Sequence, residues 1–204
     1  MNDLAAAVMH DVKNQLAELA LRLKKRGDAR AEMDIAMNAS RRLTEMLLLG
    51  REQSNQLWVN ADTVNPADFL EVLAAEYVEL FPDIEIQVDV ARAPECVFFD
   101  DALVRMALGN ALHNACRYAR TKVTLAAYQQ DDLFLLEVRD DGAGFPDSVL
   151  SSGGQLPASV TGSGTGLGLY LAQKIAALHK LGDRHGYIEL CNGAQGGIFR
   201  IVLP

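Results

Sequence analysis

Asn110 and Asn114 stand four residues apart in the segment Asn110-Ala-Leu-His-Asn114-Ala-Cys-Arg117-Tyr118. On a helix that spacing projects both carboxamides from one face. An amide oxygen is a neutral, hard ligand suited to Mg2+, which keeps several waters and bridges phosphates. Arg117 adds a fixed positive charge one turn on. Alone, the pair reads equally well as two capping or solvated asparagines. Asp140-Asp141-Gly142-Ala143-Gly144 follows an apolar run. A carboxylate at a strand end can accept a hydrogen bond from an amine, while two glycines let the backbone pass close to a ligand. In isolation a tight turn explains it too. The third piece is Gly162-Ser163-Gly164-Thr165-Gly166-Leu167-Gly168-Leu169, a glycine loop running into a helical segment. Backbone N–H groups at a helix N-terminus favour anionic oxygens. No Gly-Lys-Ser/Thr follows and no strand precedes, so this is neither a P-loop nor a dinucleotide fingerprint. The three pieces in this order are far more specific than any one of them.

A second centre lies near the N-terminus, at His10-Asp11-Val-Lys13-Asn14-Gln15. On a helical wheel His10 and Asn14 fall roughly 160° from the apolar stripe centred on Val12, Leu16, Leu19 and Leu23, so both are expected to face solvent. Neutral imidazole is a good nucleophile, and a neighbouring carboxylate can orient it or take its proton. By itself the residue also reads as an ordinary surface histidine. His113, His179 and His185 lack metal-ligand spacing and are expected to be structural or surface residues.

These residues need elements to hold them. Residues 2–26 and 31–50 read as two amphipathic helices broken at Gly27–Arg30, an antiparallel hairpin whose apolar stripes require a partner. A second copy of the chain would complete a four-helix bundle. Residues 51–62 are polar and linker-like. Helices are expected at Pro66–Leu80, Asp101–Ala119 and Leu167–His179. Strands are expected at Ile84–Val90, Val123–Tyr128, Leu133–Val138, Tyr187–Cys191 and Ile198–Leu203. Phe145–Thr161 reads as a loop. Intermixed helices and mostly antiparallel strands predict an α+β fold with a two-layer sandwich and a mixed sheet.

Composition narrows the function classes. The 204 residues are 50% hydrophobic and 23% charged, with a net charge of −8. That is a globular composition, and its acidity disfavours nucleic acid, which wants a basic face. Cys96, Cys116 and Cys191 form no CxxC pair, so a disulfide framework or zinc site is not expected, and three small buried hydrophobes are. No apolar run approaches the ~20 residues of a membrane span, and no signal peptide is visible. A cytoplasmic chain, or the cytoplasmic portion of a longer sensor, is expected.

From about Pro66 to Pro204 the sequence resembles the GHKL ATPases, in the Bergerat fold, and most closely the catalytic domain of sensor histidine kinases. The resemblance rests on the three pieces above, similar to the N, G1 and G2 boxes, and on the terminal Gly196-Gly197-Ile-Phe199-Arg-Ile-Val-Leu-Pro204. It implies that Asn114 ligates Mg2+ and that Asn110, Arg117 and Tyr118 line the nucleotide. It makes Asp140 the reader of the adenine amino group, with Gly142 and Gly144 against the base. Gly164, Thr165, Gly166, Leu167, Gly168 and Leu169 would close over the phosphates. The His10 segment resembles the H box of dimerisation and histidine-phosphotransfer domains, which implies His10 as phosphoacceptor, Asp11 as base and Asn14 as the residue positioning water for dephosphorylation.

Four departures accompany the match. Arg117 stands where the family often has Lys, and Gln15 where it has proline. Gly197 stands where Thr is common, and the lid at Phe145–Thr161 is short, without the aromatic F-box pattern. The expected organisation is a helical hairpin over 1–52, a linker over 53–64 and an ATP-binding domain over 65–204. The expected activity is an ATP-dependent protein-histidine kinase, homodimeric through the hairpin, passing its phosphoryl group to an Asp of a response regulator. Two alternatives stand beside it: a histidine phosphotransferase with a degenerate ATP domain, and a serine kinase of the anti-sigma-factor type. A chaperone- or topoisomerase-type ATPase is disfavoured, since those place Glu at the Asn110 position.

Overall fold

The computed structural model describes residues 30–53, 57–152 and 167–204, together with Val12, Gln15, Leu16, Glu18, Leu19 and Leu23. It divides into two compact units, Met1–Trp58 and Val59–Pro204.

In the first unit the six described N-terminal residues are helical, and α1 spans Arg30–Gln53. Ala36 and Leu48 are buried, whereas Met46 is exposed. Val12 and Leu19 of the expected first stripe are also exposed in the single chain, and Leu16 and Leu23 are half-buried. The helix runs three residues past Gly50 through Arg51-Glu-Gln53, all good helix formers.

The second unit is a helix layer on a sheet. Its elements are β1 (Asp62–Val64), α2 (Pro66–Val78), β2 (Glu85–Arg92), β3 (Val97–Phe99), α3 (Asp101–Tyr118), β4 (Lys122–Gln130), β5 (Leu133–Asp140), α4 (Asp147–Ser152), α5 (Leu167–Leu178), β6 (Lys180–Leu181), β7 (Arg184–His185), β8 (Tyr187–Asn192) and β9 (Gly197–Leu203). The main sheet has the order β2-β4-β5-β9-β8. Only β2 and β4 run parallel, and the other three pairs are antiparallel. A parallel pair needs a long crossover. Here that crossover contains α3, which is how the asparagine-bearing helix comes to lie on the sheet.

Alternation decides which face is covered. Val123, Leu125, Leu136, Val138, Ile201 and Leu203 point inward and are 2% exposed or less. They meet Leu70 and Leu73 of α2, Val104, Leu108 and Leu112 of α3, and Leu171 and Ile175 of α5, all equally buried. Helix starts are specified locally. Asn65 caps α2 by accepting from Ala67 and Asp68 N–H (2.9 and 3.1 Å), with Pro66 at its first position. Asp100 caps α3 by accepting from Leu103 N–H at 3.0 Å.

Asp100 does more than cap. Its other carboxylate oxygen accepts the Asn60 N–H at 2.8 Å, and its own N–H donates to His179 Nε2 at 3.0 Å. Nε2 is therefore the acceptor nitrogen, and Nδ1–H donates to the Ile175 carbonyl at 2.8 Å. His179 is buried, as a structural residue, and burial lowers its pKa below 6.5. His113 is buried too, edge-on to Phe81 at 5.3 Å between ring centroids. His185 is exposed.

The outer face of the sheet holds a buried charge. Glu137, 1% exposed, accepts from Arg200 Nε at 2.7 Å, from Tyr128 Oη at 3.1 Å and from the Arg139 guanidinium. Burial pushes its pKa up, but Arg200 and Arg139 outweigh this and hold it below the ordinary carboxylate value. Beside this cluster a cavity of about 190 Å3 is lined by Tyr128, Leu135, Tyr187, Arg200 and Val202 among others.

Some expectations need correction. β1, β3, β6 and β7 were not anticipated, because two or three residues carry no readable period. The Phe145–Thr161 segment is not loop throughout, since Asp147–Ser152 is helical. The polar stretch assigned to a linker contains α1's end and strand residue Asp62. Only Cys116 is buried, its thiol pKa pushed up to about 12 by desolvation, whereas Cys96 is exposed and Cys191 half-buried. Among the described residues no helix is long and apolar enough to cross a membrane.

Two outcomes follow for stability. Glu137→Ala removes the buried partner of Arg200 and Arg139, but Arg200 keeps Glu189 at 3.2 Å and Arg139 is half exposed, so the expected loss is about 1–2 kcal/mol in urea unfolding. Its depressed pKa means that the wild-type contribution is present above the ordinary carboxylate pKa and lost as pH falls through the folded value. His179 acts in a higher window. Its folded pKa lies below its unfolded one, so stability falls as pH drops from about 6.5 towards the folded value, the unfolded chain taking up the proton first. His179→Gln is expected to flatten the urea midpoint as pH falls below about 6.5.

Candidate functional site

Helix α3 delivers the carboxamides. Its apolar face fixes its roll, so Asn110 is 7% exposed while Asn114, one turn later, is exposed. Gly109 beside Asn110 gives α2 close access: its carbonyl accepts from Tyr77 Oη at 2.9 Å, and a Cβ there would lie 3.2 Å from that oxygen. Arg117 and Tyr118 are exposed at the helix end, with the guanidinium carbon 5.8 Å from the Tyr118 ring centroid.

Strand β5 delivers the carboxylate. Asp140 is the last residue of the strand, paired with Val123 of β4. Its Oδ1 accepts from Gly142 N–H at 2.8 Å and from Gly197 N–H at 3.3 Å. Both bonds go to Oδ1, which leaves Oδ2 as the acceptor for an incoming amine.

Glycines make this packing possible. A Cβ on Gly142 would stand 2.3 Å from the Tyr118 carbonyl and 2.8 Å from Asp140 Oδ1. One on Gly196 would stand 2.3 Å from the Asp140 carbonyl, and one on Gly197 2.8 Å from Asp140 Oδ2. The 140–144 loop, the end of α3 and the β8–β9 turn therefore converge on one carboxylate. Of the expected residues, Gly142 lies between Asp140 and the Tyr118 carbonyl, whereas Gly144 lies against Asn192.

Asp141 supports it in a role the sequence reading did not assign. Its carboxylate accepts from Arg120 N–H (2.7 Å), Thr121 N–H (3.1 Å) and Thr121 Oγ1 (2.7 Å). Desolvation pushes its pKa up, but the bonds from Thr121 and from the Lys122 and Arg120 backbone together outweigh it and hold the carboxyl well below the usual range. Asp141 thereby ties the turn after α3 to the loop after β5. The Asp140-Asp141 doublet was the available signal, but it does not say which carboxylate faces the ligand.

Other expected residues stand apart or outside. Leu167, Gly168 and Leu169 form the first turn of α5, half-buried, and α5 packs against α3. Gly164, Thr165 and Gly166 lie outside the described residues, as do His10, Asp11 and Asn14.

The donor set suits a magnesium nucleotide. Among the described residues no group of three or more His, Cys, Asp or Glu could hold a metal. A Mg2+ here would take one protein oxygen, from Asn114, and draw the rest from phosphates and water, its common mode. Oδ2 of Asp140 and the close backbone of Gly142 fit the amine-bearing edge of a base.

Comparisons with known proteins place this geometry. The model of the "Histidine kinase-, DNA gyrase B-, and HSP90-like ATPase" family matches residues 99–204. The sensor histidine kinase GtrS of Pseudomonas aeruginosa is 28% identical over 200 residues, covering 96% of this chain and 40% of that protein. The chain thus spans about two fifths of that relative's length. The histidine kinase AdeS of Acinetobacter baumannii superposes with a TM-score of 0.63 at 18% identity, covering 94% of each chain. Full-length ShkA in complex with AMPPNP superposes with a TM-score of 0.69 at 19% identity, covering 100% of this chain and 46% of that one. These structures share the fold. With its α+β sandwich, its Asn110–Tyr118 helix and its Asp140 loop inside the matched region, the chain belongs to the histidine kinase-, DNA gyrase B- and HSP90-like ATPase family.

Proposed function

We propose that the chain is the kinase core of a two-component sensor: an ATP-dependent protein-histidine kinase that phosphorylates His10 and passes the group to an Asp of a response regulator. The carrying observation is the convergence of α3, the 140–144 loop and the β8–β9 turn on Asp140. Three further facts support the reading. The family match covers the pocket. The GtrS match runs over nearly all of this chain, so it extends beyond the ATPase domain. The structural neighbour ShkA holds AMPPNP.

The residues divide the work as follows. Asp140 accepts the adenine amine on Oδ2. Gly142 and Gly144 let the loop backbone lie against the base. Asn110 and Tyr118 line the nucleotide, and Arg117 meets a phosphate. Asn114 holds Mg2+, which when bound neutralises phosphate charge during transfer. The Gly164–Leu169 segment closes over the phosphates. Neutral His10 forms the new N–P bond as the bond from the γ-phosphorus to the bridging oxygen breaks, releasing ADP, and Asp11 takes the imidazole proton. Asn14 positions water when the regulator is dephosphorylated.

This reading carries the organisation expected from the sequence, with a phosphotransfer hairpin over 1–52, a linker over 53–64 and the ATP-binding domain over 65–204. The hairpin would pair with that of a second chain in a four-helix bundle, which would give the exposed Val12 and Leu19 apolar partners. Its setting would be the cytoplasmic side of a sensor.

Binding and transfer are tested separately. In calorimetry with ATP and Mg2+, Asp140→Asn is expected to weaken binding by about 10- to 100-fold, the scale of a buried hydrogen bond to a charged group. Asn114→Ala is expected to bring affinity down to the level that wild-type protein shows in chelator. Incubation with γ-labelled ATP is expected to give an acid-labile label that His10→Gln abolishes. An acid-stable label would overturn the histidine assignment in favour of Ser or Thr. Nucleotide binding with no label at all would overturn autophosphorylation while leaving the pocket intact.

A further inference from the structure

The 140–144 loop is held at both ends. Asp141 fixes its start. Its far end is held from 47 residues away by Asn192, the last residue of β8. The Phe145 N–H donates to Asn192 Oδ1 at 2.7 Å, and Asn192 Nδ2 donates to the Phe145 carbonyl at 2.9 Å. One carboxamide thus satisfies both backbone groups of one residue, as a neighbouring strand would. Gly144 is part of the same fit. Its φ is +82°, and a Cβ there would stand 2.6 Å from Asn192 Oδ1.

The clamp has a reach beyond the backbone. The Phe145 ring lies beside Gly197, where a built Cβ would be 3.1 Å from the ring's Cε2 and 2.8 Å from Asp140 Oδ2. Residue 197 carries no side chain, so the space beside the Asp140 carboxylate is bounded by the Phe145 ring. The ring's place is set by the Phe145 backbone, and that backbone is set by Asn192. The turn that carries Asn192 is itself closed, with Gly193 N–H donating to the Gly196 carbonyl at 2.8 Å. Asn192 is exposed; its carboxamide makes these two bonds, and its backbone pairs with Gly197 of β9.

We propose that Asn192 is a positioning residue for the nucleotide base: its carboxamide clamps the Phe145 backbone and so sets the Gly142–Gly144 backbone and the Phe145 ring as one wall beside Asp140. The inference rests on the nucleotide reading above and deepens it. It concerns the base end of the pocket, so it acts on every adenine nucleotide alike and leaves the phosphoryl-transfer step alone.

The test uses the full chain carrying Asn192→Ala and, separately, Asn192→Asp. Calorimetry with ATP·Mg2+ and with ADP·Mg2+ gives affinities. Autophosphorylation at varied ATP gives KM and kcat, and thermal unfolding without nucleotide gives the midpoint. Asn192→Ala is expected to weaken ATP and ADP in parallel by about tenfold, the scale of two modest hydrogen bonds lost. KM should rise with kcat at saturating ATP retained, and the midpoint should stay near wild type. Asn192→Asp keeps the acceptor for Phe145 N–H and loses the donor, so its affinity should fall between the other two. Unchanged affinities in Asn192→Ala would overturn the proposal. So would a loss confined to ATP, or a fall in kcat with KM unchanged, since either places the effect at the phosphates. If Asn192→Ala lowers the midpoint strongly, Asn192→Asp decides: wild-type affinity there overturns the clamp, and an intermediate value supports it. Wild-type protein that binds neither nucleotide would sink the ATP reading itself.

Discussion

The site depends on how closely three pieces of backbone approach one carboxylate. Asp140 ends a strand whose inward side chains are locked in the core, so its position is inherited from the sheet. Everything else must come to it. The α3 carbonyl at Tyr118, the loop at Gly142 and the turn at Gly196–Gly197 all lie where a β-carbon would collide with a neighbour. Glycine at these places is thus a steric requirement. The cost is backbone entropy, which has to be offset by other bonds. Asp141 and Asn192 provide them, each fixing one end of the loop through backbone N–H groups. The loop between Asp141 and Phe145 is thus bonded at both ends within the chain itself.

How much of this was legible in the sequence depends on the range of each interaction. The helix carrying Asn110 and Asn114 was readable because its apolar and polar residues all lie within twenty positions, whereas its Asp100 cap came from the structure. The strand ending at Asp140 was readable for the same reason. The mixed sheet followed from the alternation of helices and strands, but the single parallel pair did not, since pairing is a property of the crossover. Short strands such as Val97–Phe99 escaped because three residues have no period. Glu137 gave no warning of its burial. It sits in the apolar run Leu133–Val138, and its partner Arg200 is 63 residues away. Asn192 is the extreme case. Nothing in the turn Asn192–Gly197 announces that its first residue serves a loop 47 positions earlier.

Charge is handled differently on the two faces of the sheet. On the outer face Glu137 is surrounded by Arg200, Arg139 and Tyr128, a closed set in which each group answers another. Such a cluster fixes the register of β4, β5 and β9 more than it adds to stability. Near the Asp140 loop the charged and polar groups are arranged the other way. Asp140 keeps one oxygen clear of backbone donors, and Arg117, Asn114 and Tyr118 are exposed. The outer-face cluster is closed on itself, whereas Asn114, Arg117 and Tyr118 near the end of α3 face solvent.

Asp100 ties the Asn60 N–H, the first turn of α3 and the ring of His179 into one knot. Asn60 lies two residues after Trp58, where the first unit ends. The incoming chain is therefore moored to the helix that bears Asn110 and Asn114. A shift of Asn60 against α3, or of α3 against the end of α5, would therefore break a hydrogen bond to Asp100.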